Sequence, residues 1–453
     1  MPINSFLYPG AKVVLPYEVA NSCRFDDGSS DSMNRSNGTP TNLKKFSISL
    51  WFKRTEPGLN KYLITGYDDE NNRTLLQFSS DQLLFQNATG GSNNTVVKSN
   101  AMFRDPSAWY HFCVIVDTTQ STDSNRVKMY VNGSQVTSLA SSTYPNQNTD
   151  MELTDSANSI ILNQKGDNSD YNSGYYAEVV VLDGTAASIT DFGQFNEDTP
   201  TVWEPKDVTG LTFGNNGFYL DFEDSSNLGN DANGGTDFTE TNIAATDQST
   251  DTCTNNYAVL NSILLHDTAQ FSEGNLKITQ SSTDADGIRA TIGVRSGKWY
   301  WEVLHGGGNA SPGIATDSAA TTNYIGADAN GFSYFINGSK YTGGSASSYG
   351  ASFTTGDIIG HALDMDNNQI TFYKNGSSQG VAFTSLPDEF IFPAISTSGV
   401  SSVTSTSNFG QDGSFAGAKT AQGNSDANGY GNFYYSVPSG YYSINSKNLA
   451  EFG

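Results

Sequence analysis

Cysteine is scarce. Cys23, Cys113 and Cys253 are the three in 453 residues. They are odd in number and far apart, which argues against a disulfide framework. Cys113 lies within the strand-like run Tyr110-His111-Phe112-Cys113-Val114-Ile115-Val116 and reads as a buried thiol. Positive charge is short as well. Lys and Arg total 23 against 47 Asp and Glu, a formal net charge of −24. Such a surface lacks the basic footprint that phosphates require, so no nucleic acid and no anionic lipid is expected as a partner. No apolar run approaches membrane-spanning length, which argues against membrane insertion. The opening Met1-Pro2-Ile3-Asn4-Ser5 has no basic stretch followed by an apolar one, so it is not read as a secretory leader. The expectation is a chain made in a reducing cytoplasm. Its Asn-x-Ser/Thr sites then read as turns rather than glycan acceptors. The four histidines, His111, His266, His305 and His361, show no ligand spacing, and His111 and His361 fall in strand patterns as packing residues. A nucleophile elbow, a P-loop and a dinucleotide fingerprint are all missing.

What fills the space is Gly, Ser, Thr, Asn and Asp, together with 26 Phe and 23 Tyr, against an apolar content of 36%. A disordered chain would not carry so many aromatics. Short aromatic strands between polar turns fit this profile, and the expected fold class is all-β. One phrase occurs three times: Tyr130-Val131-Asn132-Gly133-Ser134, Phe335-Ile336-Asn337-Gly338-Ser339 and Tyr373-Lys374-Asn375-Gly376-Ser377. Asn-Gly supplies the two positive φ values of a type I′ turn at least cost, so all three read as hairpin tips. In Phe46-Ser47-Ile48-Ser49-Leu50-Trp51-Phe52, period two puts Phe46, Ile48, Leu50 and Phe52 on one face. Lys298-Trp299-Tyr300-Trp301-Glu302-Val303 likewise sets Trp299, Trp301 and Val303 against Lys298, Tyr300 and Glu302. A short helix is expected near Ser188, where Ser188-Ile189-Thr190-Asp191 has capping character. Phe222 to Asn256 is rich in Asp, Asn, Gly and Thr and poor in aliphatics, and reads as a linker. The segment after Gly410 is too small for its own core and is expected to dock. The expected organisation is an N-terminal arm (1–14), a first sandwich (15–225), a polar linker (226–257), a second sandwich (258–412) and a C-terminal docking segment (413–453).

Phe46 to Phe52, Trp109-Tyr110-His111-Phe112, Val127 to Gly133 and Tyr176 to Gly184 come in an order and spacing that resembles the laminin-G/concanavalin A-like jelly roll, over about residues 15–225. Gly297 to Val303, Gly313-Ile314-Ala315, Gly356 to Gly360, Leu363-Asp364 with Ile370 to Gly376, and Phe392-Pro393-Ala394 follow the order of a SPRY domain, over about residues 258–412. That resemblance implies an antiparallel sandwich that binds protein partners through loops at one end. Here those loops are short and Gly/Ser-rich, so the family's partner residues do not carry over. Asn4 to Gly10, Phe213 to Phe222 and Pro438 to Tyr442 with Asn448-Leu449 make the whole chain similar to virion proteins of marine bacteriophages, a group that includes tail fibres and appendages. The resemblance implies a virion localisation, with other virion proteins as partners.

Some concanavalin A-like proteins are glucanases, which set two carboxylates about 5 Å apart on one strand face. Asp221-Phe222-Glu223 is the nearest match, and it reads as a solvated edge. Asp364-Met365-Asp366-Asn367-Asn368 starts like a calcium loop, but Gln369 and Asn375 stand where Gly and Glu belong, so it reads as a turn. Asp167-Asn168-Ser169-Asp170 and Asp68-Asp69-Glu70 could hold Ca²⁺, yet plain acidic loops fit an acidic chain better, and no cofactor is expected. Sugar binding would stack pyranose faces on exposed rings, with Asn and Asp reading the hydroxyls. The candidate rings are Tyr171, Tyr175, Tyr324, Tyr341 and Tyr349, with Tyr67 beside them. The functional expectation is a non-enzymatic tail fibre or appendage that binds host-surface glycan or protein. A capsid decoration or tail-assembly component, and a glycan hydrolase, are the alternatives. Homo-oligomerisation stays open.

Overall fold

The computed structural model describes residues 17–58, 60–264, 269–397 and 402–453. His266 and the N-terminal arm 1–14 lie outside the described residues. The chain divides at Thr254/Asn255 into two compact units, and both are built almost entirely from antiparallel sheet.

The first unit pairs two eight-stranded sheets. One runs Ser134–Gln135, Val127–Val131, Trp109–Asp117, Lys45–Arg54, Gly174–Asp183, Ser22–Phe25 and Gln248–Ser249, with Phe218–Leu220 also pairing Gly174–Asp183. The other runs Leu139–Thr143, Ser92–Met102, Gln82–Thr89, Arg73–Ser79, Lys61–Tyr67, Ser159–Leu162, Ser32–Ser36 and Thr239–Thr241. Phe46, Ile48, Leu50 and Phe52 all enter the core, as the alternation requires, against Phe78, Phe85, Phe112 and Tyr176. Side chains of this size each contribute about 1.5–3 kcal/mol on full burial. The opposite face of the first sheet is not left to water. Phe192, Val208, Phe213 and Tyr219 cover it, packed on Cys113, Val180 and Leu182. Ile189–Asp191 forms one turn of 3₁₀ helix, with Ser188 bonded to Thr190 and Asp191 as its cap.

The polar stretch 226–257 is not a linker. Leu228 and Phe238 are core residues, Thr239–Thr241 pairs with Ser32–Ser36, and Gln248–Ser249 pairs with Ser22–Phe25. Few apolar residues are needed because charge does the holding. Arg35 lies 4.9 Å from both the Phe218 and Phe238 ring centres and donates to Asp231 Oδ2 (3.4 Å), Thr236 O (3.1 Å) and Asn216 O (2.7 Å). Lys53 and Asp251, both fully buried, pair at 2.7 Å, and Trp109 Nε1 donates to the same carboxylate at 3.0 Å.

In the second unit, a sheet ordered Ala269–Ser272, Lys277–Gln280, Val403–Asn408, Lys298–Gly307, Ile358–Asp364, Gln369–Lys374 and Ser377–Thr384 accompanies a sheet ordered Asp286–Arg289, Ile391–Thr397, Ser311–Thr316, Gly331–Tyr334, Ser339–Thr342 and Ser345–Ser348. The predicted polar face of Lys298–Gly307 is covered. Residues 409–453 lie over it: Phe433 meets Tyr300 edge-on at 5.1 Å, and Tyr442–Ser443 adds as a parallel strand. The chain then closes with the helix Ser446–Phe452, capped by Asn445.

Two of the three Asn-Gly phrases make the expected turn. Asn132 and Gly133 have φ of 46° and 74°, and Asn375 and Gly376 have 48° and 76°. The third does not. Here Gly338 alone takes positive φ (87°); Gly338 N donates to Phe335 O at 2.9 Å, and Asn337 Oδ1 accepts from Ser339 N at 2.9 Å, so one left-handed residue and the Asn side chain close this turn.

Candidate binding cleft

Three loops meet at one end of the first unit. The turn after Ser22–Phe25 brings Asp27, the start of Lys61–Tyr67 brings Asn60 and Lys61, and the loop between Ser159–Leu162 and Gly174–Asp183 brings Asp170 and Tyr171. Together they line a cleft of about 400 Å³. The turn at Asp27 is tied by its own acids. Asp26 Oδ1 accepts from Gly28 N (2.8 Å), Asp31 Oδ2 accepts from Asp26 N (2.8 Å), and Ser29 Oγ donates to Asp31 Oδ1 (2.7 Å). Burial pushes the Asp31 carboxyl up to about 7. The loop carrying Tyr171 is equally set: Gly166, Asn168 and Asp170 take φ of 117°, 60° and 55°, and Lys165 N bonds Ser169 O at 3.2 Å. A Cβ at Gly166 would fall 2.4 Å from the Tyr67 ring, so only glycine lets the loop pass there.

Asp27 and Glu56, beside Lys61, are engaged rather than poised for proton transfer. Lys61 Nζ sits 2.7 Å from Asp27 Oδ2 and 3.1 Å from Glu56 Oε2. Ser173 Oγ donates to the other Asp27 oxygen at 3.0 Å and accepts from Asp27 N at 3.1 Å. Burial raises the Asp27 carboxyl, but the hydrogen bond and charge of Lys61 outweigh it and leave Asp27 below its usual range. Burial holds Glu56 above its own. Burial lowers Lys61, and its two carboxylates more than restore it, so the ammonium is permanent.

The other candidate rings scatter. Tyr175 is fully buried, which removes it as a stacking surface: the ring lies 6.4 Å from Trp109 and 5.8 Å from Lys53 Nζ, both of which are held by Asp251. Tyr349 is locked into its unit's own packing. Its hydroxyl donates to Gly380 O (2.5 Å) and accepts from Phe372 N (3.2 Å), and its ring meets Tyr334 at 5.2 Å. Tyr324 and Tyr341 do come together, half-buried, with Phe335 as the third ring, at centroid separations of 4.1 to 6.1 Å. Tyr67 donates to Glu70 Oε1 at 3.2 Å. The two acidic loops once read as calcium candidates turn onto a lysine: Lys165 Nζ reaches Glu70 (2.8 Å) and Asp167 (3.1 Å).

Two buried constellations went unseen in the sequence. His111 Nε2 lies 2.8 Å from Ser49 Oγ, a spacing that suggests a nucleophile and its base. Trp203 Nε1 donates to His111 Nδ1 at 3.1 Å, however, so Nδ1 is unprotonated and Nε2 must carry the proton and donate to Ser49. Burial depresses this imidazole to about 3. It is neutral, a donor to Ser49, and no base. The second constellation is Glu178, which accepts from Tyr219 Oη (2.9 Å) and Tyr17 Oη (3.2 Å). It occupies a bulge with φ of 50° in the middle of Gly174–Asp183. Burial raises its carboxyl to about 8 despite both phenols. A lone Glu inside Tyr175 to Leu182 was the available signal. Asp221 and Glu223, the pair that was visible, lie on the strand end, and Glu223 is exposed.

Residues 27–188 match the Concanavalin A-like lectin/glucanases superfamily, and residues 298–412 match the SPRY domain. A concanavalin A-like domain is therefore followed by a SPRY domain. Similar proteins include the ATP-dependent RNA helicase DDX1 of Xenopus laevis, 41% identical over 98 residues (21% of this chain, 13% of that protein). Ran-binding protein 9 of Xenopus tropicalis is 32% identical over 153 residues (31% and 28%), and the E3 ubiquitin-protein ligase RKP of Arabidopsis thaliana is 36% identical over 117 (24% and 9%). The chain thus spans under a third of the length of each of these relatives. Among solved structures, the SPRY domain of human HERC1 aligns at 22% identity and a TM-score of 0.28, covering 31% of this chain and 91% of that one.

Proposed function

We propose that this protein binds without catalysing: a phage virion component, carried as a tail fibre or surface appendage, that holds a host-surface glycan through the Tyr171 cleft. The observation that carries this reading is the cleft itself. It offers a partly exposed ring, an exposed carboxylate and an exposed amide, Asn60, on loops fixed by their own hydrogen bonds, which is the equipment of sugar recognition. Asp27 and Glu56, both engaged by Lys61, favour binding over hydrolysis. Placement on a virion rests on the resemblance to phage virion proteins, and the SPRY domain adds a surface suited to protein partners. Glycan-array binding, together with adsorption of labelled chain to host cells, tests the reading. Saturable binding that falls away in Tyr171→Ala is expected; inertness in both assays overturns it.

A second reading, a capsid-decoration or tail-assembly component, is favoured by two uncharged sheet edges. Leu139–Thr143 and Ser345–Ser348 each pair on one side only and carry no Lys, Pro or acid to blunt strand addition by a neighbouring subunit. Crosslinks from these strands to other virion proteins, with no cell adsorption, would favour it.

A further inference from the structure

The charges around the Tyr171 cleft do not balance. Asp27, Glu56 and Asp170 bring three carboxylates to it or to its wall. Among the described lining residues Lys61 is the cation, and both Asp27 and Glu56 already engage it. Lys165, on the loop of Asp170, is held by Glu70 and Asp167. Asp170 is exposed, and no described residue forms a hydrogen bond or ion pair with its carboxylate. Its position beside Tyr171 is set by the left-handed backbone at Asn168 and Asp170, so little ordering remains for a ligand to induce. An anionic sugar would meet uncompensated like charge here. A cation would meet the carboxylate that lacks a partner, next to a tyrosine face that also attracts it.

We infer that the cleft takes a sugar bearing a free, protonated amino group, a hexosamine unit of a surface polysaccharide, with Asp170 anchoring the amine and Tyr171 supplying the stacking surface. This rests on the cleft being a glycan site. A sugar is favoured over a peptide lysine because the same cleft is lined by Asn60, whose Oδ1 is held by Ser80 N at 3.2 Å and whose amide N–H groups are left to donate to sugar hydroxyls.

The test titrates the full chain at about pH 6, where a sugar amine is protonated, with a glucosamine tetramer, its N-acetylated counterpart, an oligogalacturonate and a lysine tetrapeptide. The glucosamine tetramer should bind roughly tenfold or more tighter than the N-acetylated one, as a charge-assisted hydrogen bond implies, and the oligogalacturonate should not bind. Asp170→Asn should erase the preference while keeping the N-acetylated affinity. Equal affinity for the two tetramers, tighter uronate binding, or a preference that survives Asp170→Asn would overturn the inference. So would a lysine peptide that matches the glucosamine tetramer, which would make the cleft a peptide site. If the N-acetylated tetramer binds as tightly as the glucosamine tetramer and Tyr171→Ala abolishes both, the glycan reading stands while the amine preference falls. If no sugar binds, both fall.

Discussion

Each of the two units takes one of its sheets, covers the face that alternation alone would leave to water, and buries a glutamate beneath the cover. They hold the cover by different chemistry. In the first unit Glu178 accepts from two phenols, and the closing segment is pinned by the buried Lys53–Asp251 pair. In the second, Glu302 accepts two backbone N–H groups, from Tyr434 and Tyr435, each at 2.8 Å, and Asp426 Oδ2 gathers Ser443 N (2.9 Å), Ser443 Oγ (2.7 Å) and Asn448 Nδ2 (2.8 Å). A charge pair closes one unit; carboxyls bonded to the main chain close the other. A buried polar group is tolerated when its partners are complete, and it then specifies which segment lies where.

The comparison breaks most visibly if Asp251 is removed. Asp251→Ala leaves the Lys53 ammonium fully buried without its counter-ion, and should cost about 3–5 kcal/mol in chemical denaturation. Glu302→Ala should cost less, about 2–3 kcal/mol, since it strands two backbone N–H groups and the Tyr300 hydroxyl, all neutral, rather than a charge. Limited proteolysis should then cut within residues 432–445 first. A cost for Glu302→Ala above that of Asp251→Ala would reverse the assignment of charge to one unit and main-chain bonding to the other.

Burial shifts the two glutamates the same way. Burial raises Glu178 to about 8 and Glu302 to about 7, from an ordinary 4.5. Both therefore add stability that is complete below about pH 4.5 and is lost as pH rises through the folded values. His111 and His361, depressed by burial to about 3, act oppositely: their contribution is present above about pH 6.5 and lost as pH falls. Between about pH 6.5 and 8 the histidines are silent, Glu302 and Asp31 titrate near 7, and Glu178 adds at most about 1.4 kcal/mol per pH unit. Glu178→Gln should make the stability profile shallower in that window, most of all above about pH 7 where Glu302 and Asp31 have titrated, measured by denaturant midpoints; a profile as steep as wild type would contradict a neutral, buried Glu178.

The smallest effects sit at the matching hairpin tips. A Cβ on Gly133 would fall 2.2 Å from the buried Trp203 ring, and one on Gly376 would fall 2.8 Å from the half-buried Tyr435 ring. With positive φ at both, Gly133→Ala should cost about 2 kcal/mol and Gly376→Ala about 1 kcal/mol by thermal unfolding. Equal costs would mean that backbone conformation, not the covering ring, sets the requirement.

The strands were legible because alternation and Asn-Gly punctuation are local. Phe46 to Phe52 and Lys298 to Val303 face as their spacing says. The closing segments were only half legible. Residues 413–453 pack through Phe433 on Tyr300, but 226–257 looked like a linker because Arg35, Lys53 and Asp251 do the work usually marked by aliphatics. In the cleft, Tyr171 was visible as an aromatic in a polar loop. Tyr175, four residues on, was not separable from it, because only the tertiary placement of Trp109, Lys53 and Asp251 shows which ring is buried. Glu178 was hidden by a bulge, which breaks the period that sequence reading relies on.

The central claim is binding without turnover at the Tyr171 cleft. Its most direct test titrates a host-surface polysaccharide with wild-type chain and with Tyr171→Ala, and assays the same samples for new reducing ends. The account predicts saturable binding by wild type, roughly tenfold or greater loss in Tyr171→Ala, and no reducing ends from either. Reducing ends released by wild type, or binding that Tyr171→Ala leaves untouched, would contradict it.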